Sequence, residues 1–303
     1  MSNTDIISSI PVVSGVDQFR DPRLFVEKFG KLSDSEWSAA LLQSAKGNEV
    51  GGIALPRFPD QETQRRIHGA TNPETSIREA MEFYSFVRQF AVTQVTSNRA
   101  KLLDYGSGWG RISRPFLKDV PYDRIFSYEP NLGFCVLQRI LNPYITVIHG
   151  SFLPDGILPA GQFSLIVGWS IFSHLSEEYA VAWFKEFERI LQPGGACVLT
   201  TWGRRFLNRL LRDQEALARG KEVDWYSQIC IKAMGGDVGM AIHSYENGDF
   251  VWFGSTATGY GEAFVSKASL SRILDRHKIG LTLEAFDDER LSQDCFVLKK
   301  PLA

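Results

Sequence analysis

The 303-residue chain is 44% hydrophobic and 22% charged, a balance that supports a packed core and excludes wholesale disorder. Its 33 basic and 35 acidic residues leave a net charge of -2, without the basic surplus of a dedicated nucleic-acid binder. The longest apolar stretch, Phe163 to Phe172, is too short to span a bilayer and is broken by Gly168 and two serines. The opening segment MSNTDIISSI has no basic stretch followed by an apolar core, so no secretion signal is expected. Cys135, Cys197, Cys230 and Cys295 lie far apart, mostly in apolar segments, and form neither a metal pair nor a disulfide framework. The expectation is a cytoplasmic chain with reduced thiols and no integral membrane segment.

Residues 1–98 carry no strong strand pattern and read as a helical cap. Two helices are predicted, Ser33 to Gln43 and Ser76 to Thr96, separated by the loop from Asn48 to Pro59. In the second, Ala80, Phe83, Tyr84, Val87, Phe90 and Ala91 recur at helical spacing and form one apolar face. From residue 99 to the end the pattern is that of an α/β domain. Strands are predicted at Lys101–Tyr105, Arg124–Tyr128, Ile145–Ile148, Ser164–Trp169 and Ala196–Thr201. Between the last two lies a helix that Ser176 caps, with Glu177 and Glu178 at the positive end of its dipole and Pro193-Gly194-Gly195 beyond its end. Strands alternating with helices imply a mostly parallel sheet covered on both faces. Residues 204–262 break the rhythm as an insertion. A basic helix, Arg204 to Arg219, leads into a glycine-rich stretch with polar and aromatic side chains. A helix from Ser266 to His277 and strands at Leu281–Phe286 and Cys295–Lys299 close the chain.

The most informative segment is LLDYGSGWGR, Leu102 to Arg111. A buried strand ends at Asp104, and Gly106, Gly108 and Gly110 follow at alternate positions, with Ser107 between the first two, before a predicted amphipathic helix. Glycines there let the backbone turn sharply and admit a ligand where a Cβ would stand. A dinucleotide fingerprint would need glycine at position 111, which is arginine. A purely structural turn would need neither the acid nor three glycines.

Asp104, Gly106, Gly108 and Gly110 resemble the first motif of the class I S-adenosylmethionine-dependent methyltransferases. The resemblance continues at Glu129, which closes IFSYE 19 residues after Gly110 and stands, with Pro130 beside it, where that family's ribose-binding acid ends the second strand. A carboxylate suits a vicinal diol because it accepts two hydrogen bonds. Where the family places an acid for the adenine amino group this sequence has Ser151, followed by Phe152, which the resemblance sets against the ring. After strand four the resemblance implies that Trp169, Ser170, Phe172 and His174 face cofactor and acceptor. It also implies a Rossmann-like, seven-stranded sheet whose last strand is antiparallel, with S-adenosyl-L-methionine as cofactor. The match spans about residues 100–203 and 263–303. A narrower likeness, in IREAMEFYSFV, SIFSHLSEE and YGEAFVS, is to bacterial methyltransferases of glycan and natural-product gene clusters. It implies that the helix before the first motif covers the cofactor, with Tyr84 or Arg88 at the methionine end; a core aromatic is the equal alternative for Tyr84.

Five histidines remain. His277 reads as a surface residue and His149 as a sheet-edge residue, while His68 lies in a loop able to fold over the pocket. His174 follows strand four, at the end of the sheet where ligands bind in open α/β folds, although a capping or supporting role fits it equally. His243 lies in the insertion near Asp237, Tyr245 and Glu246. No His/Asp/Glu set has metal-ligand spacing, and Gly168-Trp169-Ser170 lacks a nucleophile-elbow pattern. The basic run Arg204, Arg205, Arg209 and Arg212 is either a solvated helix face or a meeting point for an anionic acceptor. These features lead to the expectation of O-methylation of a small molecule or glycan hydroxyl, with His174 or His243 as base and His243 preferred. N-methylation of an amine or protein side chain, and a catalytically silent cofactor-binding scaffold, are the alternatives.

Overall fold

The computed structural model describes residues 21–47, 49–68 and 72–302. Among the described residues four helices precede the sheet: α1 (Leu24–Phe29), α2 (Asp34–Ala45), α3 (Gln61–His68) and α4 (Pro73–Thr96). Ser33 and Glu36 form a reciprocal capping box at the start of α2, and Asn72 accepts from the Thr75 N–H at the start of α4. The apolar face predicted for α4 is the one it buries, including Phe83, Tyr84 and Val87. No helix was expected over α3, whose last residue, His68, was expected in a loop.

Seven strands form one sheet in the order β3-β2-β1-β4-β5-β9-β8. They are β1 (Leu102–Tyr105), β2 (Ile125–Glu129), β3 (Thr146–His149), β4 (Phe163–Gly168), β5 (Leu191–Thr201), β8 (Thr282–Asp287) and β9 (Asp294–Lys299). The first five pair in parallel, and β9 runs antiparallel to both β5 and β8. Every residue of β1 and β4 is buried, as their continuous apolar runs require when helices cover both faces. One face packs under the amino-terminal helices, and the other under α6 (Glu177–Ile190) and the helix Lys267–Arg276. Between β2 and β3 runs α5 (Leu132–Leu141). Ser176 caps its helix as the sequence indicated, and Ser266, expected to begin a helix, caps the helix Lys267–Arg276.

One expected helix does not form. After the glycine turn, residues 109–113 are consecutive turns and Arg114–Lys118 is a short 3-10 segment. Pro115 has no N–H to give the Arg111 carbonyl, and the Arg114 guanidinium takes the Gly110 carbonyl at 2.9 Å.

The insertion, in which only the basic helix was expected, is ordered throughout. It contains α7 (Arg204–Ala218), α8 (Trp225–Ala233) and α9 (Val238–Glu246), followed by a hairpin of β6 (Val251–Ser255) and β7 (Tyr260–Phe264); the helix Lys267–Arg276 is then α10. Asp224 and Asp237 cap α8 and α9. Phe206, Leu210, Cys230, Ile231, Ile242 and Phe264 give it a small core of its own. The hairpin docks on the sheet's ligand end through bridges from Leu175 to Tyr260 and from Trp202 to Phe264. Among the described residues, no helix is long and apolar enough to cross a membrane.

Candidate active site

Successive parallel strands end at the same edge of the sheet, so the turn after β1 and the end of β2 lie side by side. Gly106, Gly108 and Gly110 hold φ of +67°, +54° and +80°, conformations that side chains resist. A Cβ at Gly106 would run into Ile171, and one at Gly110 would lie 2.5 Å from the Gln138 amide nitrogen. At Gly108 the nearest atom is an Ile67 methyl of α3 at 3.6 Å, so this is the open side of the turn. Glu129 is buried beside it, its two carboxylate oxygens accepting from the Gly108 and Asn131 N–H groups, each at 2.8 Å. Burial raises its pKa and those donors oppose the rise. Asp104 lies beneath the turn, 1% exposed, and its Oδ2 has no hydrogen-bond partner. Burial pushes its carboxyl up to about 7 against hydrogen bonds from Ser113.

Ser107 donates to the Gln138 side chain at 3.0 Å and is buried. On the β3 side, the Ser151 N–H donates to the Tyr128 hydroxyl at 2.8 Å while its side chain is left at the surface. Phe152 is 58% exposed, and its carbonyl accepts from Trp183. The Pro130 carbonyl lies 3.2 Å from His149 Nε2. At the β4 end, Trp169 packs edge-on against Phe83 of α4 at 5.1 Å, with the buried Arg111 guanidinium 5.6 Å from its ring. Arg111 pairs with Glu79 at 2.8 Å. Ser170 is held at φ +61°, its N–H donating to Thr200 and its hydroxyl accepting from Gln293. A non-glycine residue in that region is strained, and here Thr200, Gln293 and the Ser173 hydroxyl, 3.2 Å from its own, hold it in place. Phe172 is buried among Tyr105, Phe184 and Phe296, so it packs the core and does not line the cleft.

His174 closes this end. Its Nδ1 donates to the Gly261 carbonyl at 2.9 Å, Glu262 Oε1 lies 3.5 Å from the same nitrogen, and Tyr260 stacks on the ring at 4.9 Å and 13°. All three partners belong to β7; they lie in YGEAFVS, the phrase that carried the narrower likeness, but no site role was expected of them. Glu262 also accepts from the Tyr226 hydroxyl at 2.7 Å and from Trp202 Nε1 at 3.0 Å. Burial, followed by the Glu262 charge, pushes the Tyr226 phenol far above its ordinary pKa, and Tyr260 is pushed up to about 12 by burial, Glu262 and Glu129.

Two expectations are corrected. Tyr84 is fully buried, donates to Asp119 and packs on Phe116, so it serves the core beneath the cap and does not face a ligand. His243 lies on the exposed face of α9, with its ring against Asn247, because that helix turns its apolar side toward α7. It is not brought to His174. Of the basic run, Arg204 pairs with Glu246, Arg205 with Asp294, and Arg209 with Asp213 and Asp224, which is the solvated-face alternative. The side chain of His68 lies outside the described residues.

Residues 74–283, more than two thirds of the chain, match a methyltransferase-domain family. The protein belongs to the S-adenosylmethionine-dependent methyltransferases. An uncharacterized methyltransferase of Oceanobacillus iheyensis is 25% identical over 130 residues, 42% of this methyltransferase and 57% of that relative, so the match spans little more than half the relative's length. The crystal structure of the PH0226 protein of Pyrococcus horikoshii superposes with a TM-score of 0.50 at 14% identity, over 80% of this chain and all of that one. CalS10 of Micromonospora echinaspora, an amino pentose methyltransferase solved with S-adenosylmethionine bound, is 14% identical with a TM-score of 0.48, over 80% of this chain and 97% of its own.

The methyltransferase's cofactor is S-adenosylmethionine, and the residues at the β1–β2 edge fit it. The open Gly108 leaves the space a Cβ would fill, Asp104 has a buried oxygen without a partner, and Glu129 has carboxylate lone pairs beyond the two its N–H donors use.

Proposed function

We propose that this methyltransferase transfers a methyl group to the hydroxyl oxygen of a small molecule or glycan in the cytoplasm, with His174 as general base. The observation that carries the reading is the His174 ring. Its side chain is 15% exposed, Nδ1 is tied to Gly261, and no hydrogen bond among the described residues engages Nε2. Nε2 is then the acceptor for a proton. Bound S-adenosylmethionine supplies a methyl carbon made electrophilic by its sulfonium. On this reading the chain's own tasks are binding, alignment and water exclusion. Glu129 takes the ribose hydroxyls, Pro130, Ser151 and Phe152 border the adenine, and the glycine turn with Asp104, Ser107, Trp169 and Ser170 holds the amino-acid end. Helices α3 and α4 cover that end from the cap side. The insertion hairpin, which brings Tyr260 beside His174, supports an acceptor seat at the same mouth.

A hydroxyl has a pKa far above neutrality, so a positioned base is worth roughly 10²–10⁴-fold in rate. The test is methyl transfer from labelled cofactor to nucleotide sugars, lipid-linked glycans and small phenols, then single turnover of the accepted compound. His174→Ala is expected to lose rate by that factor with cofactor affinity nearly unchanged, and His243→Ala to stay within about twofold of wild type. Full turnover in His174→Ala, or transfer confined to amines, refutes the reading.

A further inference from the structure

We propose that Glu262 is a positioning residue for His174: with the Gly261 carbonyl it keeps the ring proton on Nδ1, and its charge stabilises the imidazolium that forms when Nε2 takes a proton. The proposal rests on His174 as the base. The geometry favours it in three respects. Glu262 Oε1 stands 3.5 Å from Nδ1, and the two side chains are 13% and 15% exposed, so water screens the pair weakly. Its other oxygen is occupied by two donors, the Tyr226 hydroxyl and Trp202 Nε1, which fix the carboxylate's orientation. The Tyr260 stack then fixes the plane of the ring, and the Gly261 carbonyl selects the orientation that points Nδ1 at β7.

The placement in the chain gives this a consequence. His174 belongs to the loop after β4, whereas Tyr226, Tyr260, Gly261 and Glu262 belong to the insertion. Backbone bonds join the two: Gly261 N–H to the His174 carbonyl, Ala263 N–H to Ser173 and Ser176 N–H to Gly259, at 2.8 to 2.9 Å. The insertion therefore completes the base and does more than bind the acceptor. Titratable groups facing the ring are Glu262 and Tyr260 from β7, with Tyr226 of α8 behind Glu262; Glu129 of β2 lies within electrostatic reach of Tyr260.

The experiment needs no acceptor. Nitrogen-15 spectra of the histidine rings in the full-length protein with S-adenosylhomocysteine, assigned by His174→Asn, report tautomer and proton binding from pH 5 to 9. The neutral wild-type ring is expected to carry its proton on Nδ1. Glu262→Gln should weaken proton binding at His174 by about tenfold, the loss of one partly screened counter-charge, while Glu262→Asp restores most of it. Tyr226→Phe, which removes a bond to Glu262 and leaves the charge, should change it by no more than about twofold. A proton on Nε2 in the wild type, an unchanged titration in Glu262→Gln, or an equal change in Tyr226→Phe overturns the proposal. If Glu262→Gln does not fold, the wild-type tautomer decides alone: a proton on Nδ1 supports the proposal and one on Nε2 overturns it. A normal tautomer and titration response combined with full turnover in His174→Ala would instead sink the base reading alone.

Discussion

Asp104 makes the stability of this protein depend on pH in a direction opposite to that of an ordinary paired carboxylate. Its pKa rises from 3.8 to about 7 because the carboxyl is buried beneath the glycine turn with one oxygen unpartnered. Between those two values the folded state holds a proton that the unfolded state has released. Stability therefore falls as pH rises from about 4 to about 7 and levels off above. At 1.36 kcal/mol per unit, a shift of about three units amounts to about 4 kcal/mol, an upper bound that relaxation around the charge reduces toward about 2 kcal/mol. Asp104→Asn keeps the shape and one carbonyl acceptor but cannot ionise. Urea unfolding of cofactor-free wild type and mutant from pH 5 to 8.5 measures the difference. The mutant should gain on the wild type by about 1 kcal/mol per pH unit up to about pH 7, with a constant offset beyond. Asp294, a second buried carboxyl pushed up to about 7 by burial, contributes to the slope that remains in the mutant, as do Glu129 and Asp119, which burial also raises. Parallel curves for the two proteins, or a wild type that gains on the mutant as pH rises, would refute the reasoning.

Glu129→Gln should weaken binding of S-adenosylhomocysteine by about 2–4 kcal/mol in calorimetry, because its amide nitrogen meets a backbone N–H and can no longer accept two bonds; unchanged affinity in a folded protein would place the ribose elsewhere. Gly108→Ala should cost about 1–2 kcal/mol of stability from its φ of +54° alone, since only Ile67 at 3.6 Å is near, yet lose far more cofactor affinity. Equal losses in thermal melts and in calorimetry would show that the open side of the turn is not where the ligand approaches.

The sheet and its cofactor edge were legible in the sequence because the interactions that make them are local or repeat along the chain. Short apolar runs such as FSLIVG, bounded by turn residues, suit strands buried on both faces, and Ser176 caps its helix through a contact three residues away. Asp104, Gly108 and Glu129 converge because consecutive parallel strands must end at one edge, so a spacing of one crossover sufficed to pair them. The same locality explains the misses. A proline and a side-chain guanidinium compete away the helix after Gly110, and the apolar stripe that carries Tyr84 says that a face is buried without saying that Asp119 waits beneath it. His243 was preferred to His174 as the base, and nothing local to either residue records what it will meet. What separated them was the docking of the hairpin, which brings Glu262 across 88 positions to His174 while α9 turns His243 outward. Such a meeting depends on how an insertion with its own core settles against the sheet. Packing between distant segments decides that, and no periodicity within either segment records it.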